Sequence, residues 1–215
     1  MTRRKTTFSL DETNDAFRVT LPKPSLRYVD FFLALECVGI LTATGAYPNA
    51  KEISETIGVF EAARLRLGLA YARDDVLAVC VGDGVMPRTA AYVAYLAHWK
   101  AISVDPLLRL QDPRLVSFAA RTRRLEMHAR RIEETPIDAT GFRDVVFLFV
   151  HSHASLRAAA ASLRGAEGAR IHAVSMPCCF GDDLGLAPTE IFDDPNVLSV
   201  KRTIQIYRDF PLTNA

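Results

Sequence analysis

A segment near the middle of the chain restricts the possible folds more than any other part of the sequence. It begins with a short apolar run, 76–81, whose β-branched residues are typical of a buried parallel strand. The run ends in a Gly-Asp-Gly turn, 82–84, and the residues after it, 88–99, predict a helix. A second apolar run then ends at Asp105. This succession of strand, turn, helix and strand predicts an α/β protein.

The acid at the end of the second run predicts a class of ligand. Asp105 lies 21 positions after Gly84, close to the roughly 20 expected where a carboxylate holds a ribose hydroxyl at the tip of the next strand. A third glycine is missing, and Pro87 stands near its place. Proline has no N–H and would crowd a pyrophosphate, which binds helix N-terminal amides. The segment favours a nucleoside without phosphates, although an ordinary strand–turn–helix without a ligand has the same pattern.

These residues resemble the nucleotide-binding half of the class I S-adenosylmethionine (SAM) dependent methyltransferases, over most of the chain. The resemblance implies a Rossmann-like methyltransferase fold and SAM as the cofactor. It places the methionine group of the cofactor beside Gly82, Asp83 and Gly84. It places the ribose hydroxyls beside Asp105, which Pro106 follows.

The adenine end of the resemblance departs from the family pattern. An Asp that accepts from the adenine amino group usually follows the family's third strand, but Arg130 and Arg131 stand near that position. An arginine side chain cannot accept a hydrogen bond. Three alternatives stay open: the backbone near Arg131 and Ile132 flanks adenine, Glu133 or Asp138 accepts from it, or the pocket holds something else.

Polar residues follow two further apolar runs. A His-Ser-His sequence, 151–153, follows the run 144–150, and Cys178 with Cys179 follows the run 170–176. Because ligands bind beyond the carboxyl ends of parallel strands, these residues are candidates for the rim that receives the methyl acceptor. A strand ending in His and a later strand ending in Cys-Cys resemble a methyltransferase subgroup that includes tRNA 2′-O-methyltransferases.

Three interpretations of this rim stay open. In the first, His151, His153 and Cys178 are the catalytic residues, and a histidine acts as the base near neutral pH. In the second, the histidines and cysteines bind a metal ion, which is disfavoured because adjacent cysteines rarely both face one ion. In the third, the side chains only complete the packing at the strand ends.

The remaining sequence predicts one domain. Residues 1–24 are predicted to be a flexible tail, and 25–215 a single methyltransferase-like domain whose capping helices lie within 25–72. The predicted fold is a mainly parallel sheet with helices on both faces and an antiparallel edge strand. Strands are predicted near 76–81, 101–104, 123–128, 144–150, 170–176 and 197–208, and helices near 88–99, 112–120 and 154–164.

Composition limits the partners and the compartment. A net charge of +1 gives no overall attraction to nucleic acid, so an RNA partner would need a local basic patch. No apolar run reaches the roughly 18 residues of a membrane span. Four cysteines without a C-x-x-C pair fit the reducing cytoplasm.

Two functions remain. The first is SAM-dependent methyl transfer to RNA or a small molecule. The second is a non-catalytic methyltransferase-like scaffold or binding protein, with a protein partner and a degenerate pocket. A nucleotide-dependent reductase is disfavoured by the missing third glycine.

Overall fold

The computed structural model describes residues 7–11, 16–20, 25–178 and 186–211, and for the first two ranges only the backbone. The strands are β1 (Thr7–Asp11), β2 (Ala16–Thr20), β3 (Val76–Val81), β4 (Lys100–Val104), β5 (Leu125–His128), β6 (Ile137–Asp138), β7 (Asp144–Val150), β8 (Leu163–Arg164), β9 (Arg170–Met176), β10 (Glu190–Asp193) and β11 (Thr203–Tyr207). The helices are α1 (Arg27–Leu33), α2 (Val38–Ala43), α3 (Ala50–Arg66), α4 (Arg88–Leu96), α5 (Pro113–Ala119) and α6 (Leu156–Ala161), and a 3₁₀ turn covers Ile132–Glu134.

Seven strands form the main sheet, in the order β10-β11-β9-β7-β3-β4-β5. Strands β9, β7, β3, β4 and β5 run parallel to one another, while β11 runs antiparallel to β9 and β10 antiparallel to β11. From β3 the chain moves outward through β4 to β5, then crosses back to β7 and β9. The connections therefore diverge between β3 and β7, and such a switch point leaves a crevice for a ligand at the carboxyl ends of the strands.

The two faces of the sheet carry separate apolar clusters. Every residue of β7 is buried, and its side chains alternate between the clusters, as expected of a strand covered on both faces. Helices α1 to α5 contribute to the cluster on one face, where the Phe60 ring lies 5.4 Å from Tyr92 and 5.2 Å from Trp99. The 3₁₀ turn and α6 cover the other face. The predicted α/β class, parallel sheet and antiparallel edge are confirmed.

The edge of the sheet differs in detail from the prediction. The segment 197–208 is predicted to be one long strand, but only 203–207 are in β11, and β10 precedes it. Asp194 begins a turn: its carboxylate accepts from the backbone N–H of Asn196 at 2.9 Å. Buried Val197 then packs into the core from the loop. The strand prediction is wrong for 197–202, where Val197 is buried from a loop and Val200 is exposed.

The N-terminal segment contains more regular structure than a tail implies. Within residues 1–24, β1 and β2 pair as an antiparallel hairpin, with Thr7 opposite Thr20 and Asp11 opposite Ala16. The flexibility of this segment relative to residues 25–215 stays a prediction. The capping helices are present as α1, α2 and α3, and α3 packs against α1, α4 and strands β7, β9 and β11.

No helix within the described ranges combines the length and the apolar character needed to cross a membrane.

Candidate functional site

The carboxyl ends of β3 and β7 lie in direct contact at the switch point. Gly82, the first residue after β3, has φ +73° and donates its N–H to the carbonyl of Val104 at 2.9 Å. A Cβ at this position would lie 2.5 Å from the Oγ of Ser152, the second residue after β7. Glycine is required here for the close approach of a neighbouring strand end, and contact of Gly82 with a cofactor stays a prediction.

Gly84 and Asp105 lie side by side, as the sequence predicts. Gly84 has φ +85°, and a Cβ built on it would meet open space. Its N–H donates to Asp105 Oδ2 at 2.8 Å, and the N–H of Leu107 donates to Oδ1 at 2.7 Å. Asp105 is only 7% exposed, whereas Pro106 beside it is exposed. The carboxylate is therefore held at the glycine turn by two backbone amides.

Asp83 has a different role from the one that the resemblance implies. Its buried carboxylate accepts from the N–H groups of Thr89 at 2.8 Å and Ala90 at 3.0 Å, and from Ser103 Oγ at 3.1 Å. Burial raises the pKa of Asp83 above its ordinary value, against the lowering effect of these bonds. Asp83 thus caps the N-terminus of α4. Its side-chain oxygens are bonded to the start of α4 and to Ser103, and contact of Asp83 with a cofactor stays a prediction.

A cleft of about 230 Å³ lies between this turn and the segment that leads into α3. Its lining residues are Gly45, Ala46, Pro48, Glu52, Asp83, Gly84, Val85, Met86 and Arg88. Arg88 at the start of α4 forms an ion pair with Glu52 in the first turn of α3. Asn49 positions that first turn, because its side chain accepts from the N–H of Glu52 at 3.0 Å.

Glu55, one turn further along α3, reaches the end of β7. Its carboxylate is fully buried, and Oε1 lies 2.7 Å from His151 Nε2 and 3.3 Å from Lys51 Nζ. Burial raises the pKa of Glu55, but the bond to His151 and the charges of His151 and Lys51 outweigh it, so that the pKa lies below its ordinary value. Glu55 is therefore ionised at neutral pH. Since a carboxylate only accepts, the proton of the imidazole lies on Nε2.

His151 itself has an unusual backbone. Its φ is +55°, in the left-handed region, which costs a non-glycine residue about 1–3 kcal/mol. Its N–H donates to the carbonyl of Met176 at 2.9 Å, which fixes this conformation across to β9. Its Nδ1 is buried and has no hydrogen-bond partner among the described residues. A carboxylate on one ring nitrogen and an unpartnered second nitrogen form the arrangement that positions a histidine as a base.

The other predicted rim residues form a second pair. Cys178 Sγ lies 3.1 Å from His153 Nε2, with Cys178 half-buried and His153 exposed. The two histidines of the rim thus diverge, His151 toward α3 and His153 toward Cys178. Cys179 lies outside the described residues. Within the described ranges, no three His, Cys, Asp or Glu side chains are grouped so as to hold a metal ion.

The segment predicted to flank adenine lies beyond β5. The N–H of Asp105 donates to the carbonyl of His128 at 3.1 Å, so the end of β5 lies next to Asp105. Arg131 is exposed, and its carbonyl accepts from Thr135 Oγ1 at 2.8 Å. The Ile132 side chain is buried in the apolar cluster on the face of the sheet that α6 covers. Contact of adenine with the backbone of 131–132 stays a prediction, and the Ile132 side chain is part of the core.

The glycine turn yields a prediction with an internal control. Gly82→Ala is expected to lower the free energy of unfolding by about 1–3 kcal/mol through overpacking against Ser152, and by about 1–2 kcal/mol more through left-handed strain. Gly84→Ala has the same backbone strain but no overlap, so its loss is expected to be smaller. Urea denaturation of both variants measures the difference. Equal losses would show that Gly82 is not needed for the contact with Ser152.

Comparison with known proteins supports the fold. No protein-family model and no curated protein matches the chain. Among solved structures, a mutant of MtNAS in complex with S-adenosylmethionine has a TM-score of 0.51 and 10% identity, over 86% of this chain and 71% of that chain. MtNAS in complex with MTA and tNA has a TM-score of 0.51 and 11% identity, over 86% and 70%. An RNA methyltransferase from Salinibacter ruber in complex with S-adenosyl-L-homocysteine has a TM-score of 0.42 and 17% identity, over 69% and 90%. At this identity the likeness shows the fold alone, and the chain has a Rossmann-like fold similar to that of the MtNAS structures.

Proposed function

We propose that the protein is a SAM-dependent methyltransferase whose cofactor lies across the carboxyl ends of β4, β3 and β7. The observation that carries the proposal is the Asp105 carboxylate, hydrogen-bonded to the N–H of Gly84 at 2.8 Å at the mouth of the crevice. Each carboxylate oxygen accepts one backbone amide and keeps further lone-pair capacity. Two ribose hydroxyls can therefore donate to Asp105 without displacing the turn.

The N-terminus of α4 supports a ligand without phosphates. Phosphates bind at helix N-termini because the first amides of the helix are free to donate. In this chain, the N–H of Arg88 donates to the carbonyl of Met86 at 2.8 Å, and those of Thr89 and Ala90 donate to Asp83. The first-turn amides are thus already bonded within the chain. This disfavours NAD and similar dinucleotides and is compatible with SAM.

The chemistry required of the chain is limited. SAM supplies a methyl group already activated by the sulfonium. The protein therefore has to bind and orient SAM and the acceptor, and to remove a proton from the acceptor. In the proposed mechanism His151 receives the proton of the acceptor hydroxyl or amine at Nδ1, which is buried in this structure and must become exposed for the step, while Nε2–H donates to Glu55 and Glu55 stabilises the imidazolium. Ser152 lies against Gly82. His151 precedes Ser152 in the sequence and therefore lies near the glycine turn.

The other proposed site residues are assigned from the sequence. His153 and Cys178, 3.1 Å apart, are proposed to line the acceptor side of the cleft. RNA and small molecules remain the two classes of acceptor that we propose. A protein partner and a cytoplasmic location likewise stay predictions from the sequence.

A calorimetric titration of the full chain tests the proposal. We expect S-adenosylhomocysteine (SAH) and SAM to bind with micromolar dissociation constants, about −8 kcal/mol, and NAD to show no binding. Tighter binding of NAD than of SAH would contradict the proposal. Absence of binding by all three would favour the alternative, a non-catalytic scaffold with a degenerate pocket.

A further inference from the structure

The Arg88–Glu52 ion pair lies inside the cleft and not on the outer surface. Both side chains line the cleft of about 230 Å³ beside Gly84. The Arg88 side chain is 18% exposed and that of Glu52 21%. Taking charges out of water is costly, and the mutual attraction of such a pair often does not repay the cost. Burial lowers the pKa of Arg88 below its ordinary value, because it disfavours the charged form.

The guanidinium of Arg88 also retains an unused donor. Its Nε is buried and has no hydrogen-bond partner among the described residues. The phenol of Tyr47 donates to the backbone carbonyl of Arg88 at 2.7 Å, which fixes the backbone but leaves the guanidinium unchanged. A guanidinium has five donors in a planar fork and binds a carboxylate through two of them. The buried Nε does not face the cleft, so a ligand carboxylate can bind only the Nη donors that Glu52 leaves free.

We propose that Arg88 and Glu52 bind the zwitterionic amino-acid group of the cofactor, the α-carboxylate at Arg88 and the α-ammonium at Glu52. The inference rests on the proposed function and adds the determinant that selects an amino-acid-bearing nucleoside. An α-amino acid carries opposite charges on one carbon, and a cleft wall with adjacent opposite charges is complementary to it. A nucleoside without this group does not contact the ion pair and gains no affinity from it.

Among the described residues that line the cleft, Arg88 is the only cation. The amides of Thr89 and Ala90 already donate to Asp83. Lys51 lies 3.7 Å from Glu52, but its side chain is 48% exposed. Residues 85–87 separate Arg88 from the glycine turn, and the N–H of Gly84 donates to Asp105. In the proposed complex one ligand contacts Asp105 with its ribose and Arg88 with its amino-acid group.

Two ligands that differ only at this end test the inference. SAH contains the amino-acid group, whereas 5′-deoxy-5′-methylthioadenosine keeps the adenosine and the sulfur without it. Calorimetry gives the affinity of both for the full chain and for Arg88→Met, Arg88→Lys and Glu52→Gln. Arg157→Met removes an exposed arginine on α6 and serves as the matched control.

We expect Arg88→Met to weaken SAH binding by about tenfold or more, because a charge-assisted hydrogen bond is lost, and to leave methylthioadenosine binding unchanged. Arg88→Lys keeps the charge without the fork and should retain part of the SAH affinity. Glu52→Gln should also weaken the binding of SAH alone, and Arg157→Met should change the affinity for neither ligand. Equal weakening of both ligands, or unchanged SAH affinity in Arg88→Met, would overturn the inference while the proposed function stands. Absence of binding of both ligands to the unaltered chain would overturn both.

Discussion

Replacing Asp105 with alanine is expected to weaken SAH binding by about 3 kcal/mol, a factor of roughly 100. Without the carboxylate, the ribose of SAH would lose two charge-assisted hydrogen bonds, which are the strongest that the proposed site offers. The N–H groups of Gly84 and Leu107 would lose their acceptor at the same time. Since Gly84 lines the cleft, the cleft would also become less well defined. Calorimetric titration with SAH measures the loss.

Two further variants separate ligand binding from folding. Asp105→Asn keeps the size of the side chain and one acceptor oxygen, but its NH₂ faces a backbone donor, so an intermediate loss is expected. Asp30→Ala removes an exposed acid on α1 and should bind SAH as the unaltered chain does. An unchanged SAH affinity in Asp105→Ala would remove the ribose assignment.

The largest effect on stability is expected from Asp144, at the opposite end of the sheet. This fully buried carboxylate begins β7 and contacts Arg73 at 2.6 Å, Arg170 at 2.8 Å and His172 Nε2 at 3.1 Å. Burial raises the pKa of Asp144, but its three partners outweigh it and hold the pKa below the ordinary value. His172 Nδ1 accepts from the N–H of Asp209 at 3.0 Å, which joins the C-terminal segment to the same group.

Asp144→Asn is expected to lower the free energy of unfolding by about 3–5 kcal/mol, because removing one partner of a buried ion pair leaves the others uncompensated. Glu167→Gln alters an exposed carboxylate and should change stability by no more than about 0.5 kcal/mol. Urea denaturation at neutral pH compares the two. A loss below about 1 kcal/mol in Asp144→Asn would show that the group is not a major source of stability.

The same variant separates stability from ligand binding. Asp144 and Val150 are the two ends of β7, and at about 3.3 Å per residue they lie roughly 20 Å apart. The proposed cofactor site lies at the Val150 end. Folded Asp144→Asn is therefore expected to bind SAH as the unaltered chain does.

The parts of the fold that follow from local pattern could be predicted from the sequence. The apolar runs 76–81, 144–150 and 170–176 are strands within the limits expected, because buried parallel strands need continuous apolar residues. The proximity of Gly84 and Asp105 follows from the same pattern, since adjacent parallel strands end at the same edge of the sheet. No tertiary information is needed for either.

The residues that complete the site could not be found in this way. Glu52 reaches the cleft and Glu55 reaches His151 only because α3 packs across the sheet, and nothing local to α3 indicates that packing. The sequence does offer one signal, the charged residues at 51, 52 and 55 on a helix whose other positions are largely apolar. A charged residue on a buried helix face needs a partner elsewhere in the fold.

Two other differences have the same origin. Asp83 stands inside a glycine turn, where a ligand contact and a helix cap give the same sequence pattern, and only the positions of Thr89 and Ala90 distinguish them. Gly82 is equally ambiguous, because the side chain that excludes a Cβ there, Ser152, lies just after β7 and 70 residues away in the sequence. Long-range packing decides both cases.

The most direct test of the proposed site is a crystal structure of the protein with SAH bound. We expect density for the adenosine over the glycine turn, with the ribose hydroxyls about 2.6–3.2 Å from the Asp105 carboxylate oxygens and the amino-acid group at Arg88. Density for SAH at any other place, with the carboxyl ends of β4, β3 and β7 free of ligand, would contradict the proposal.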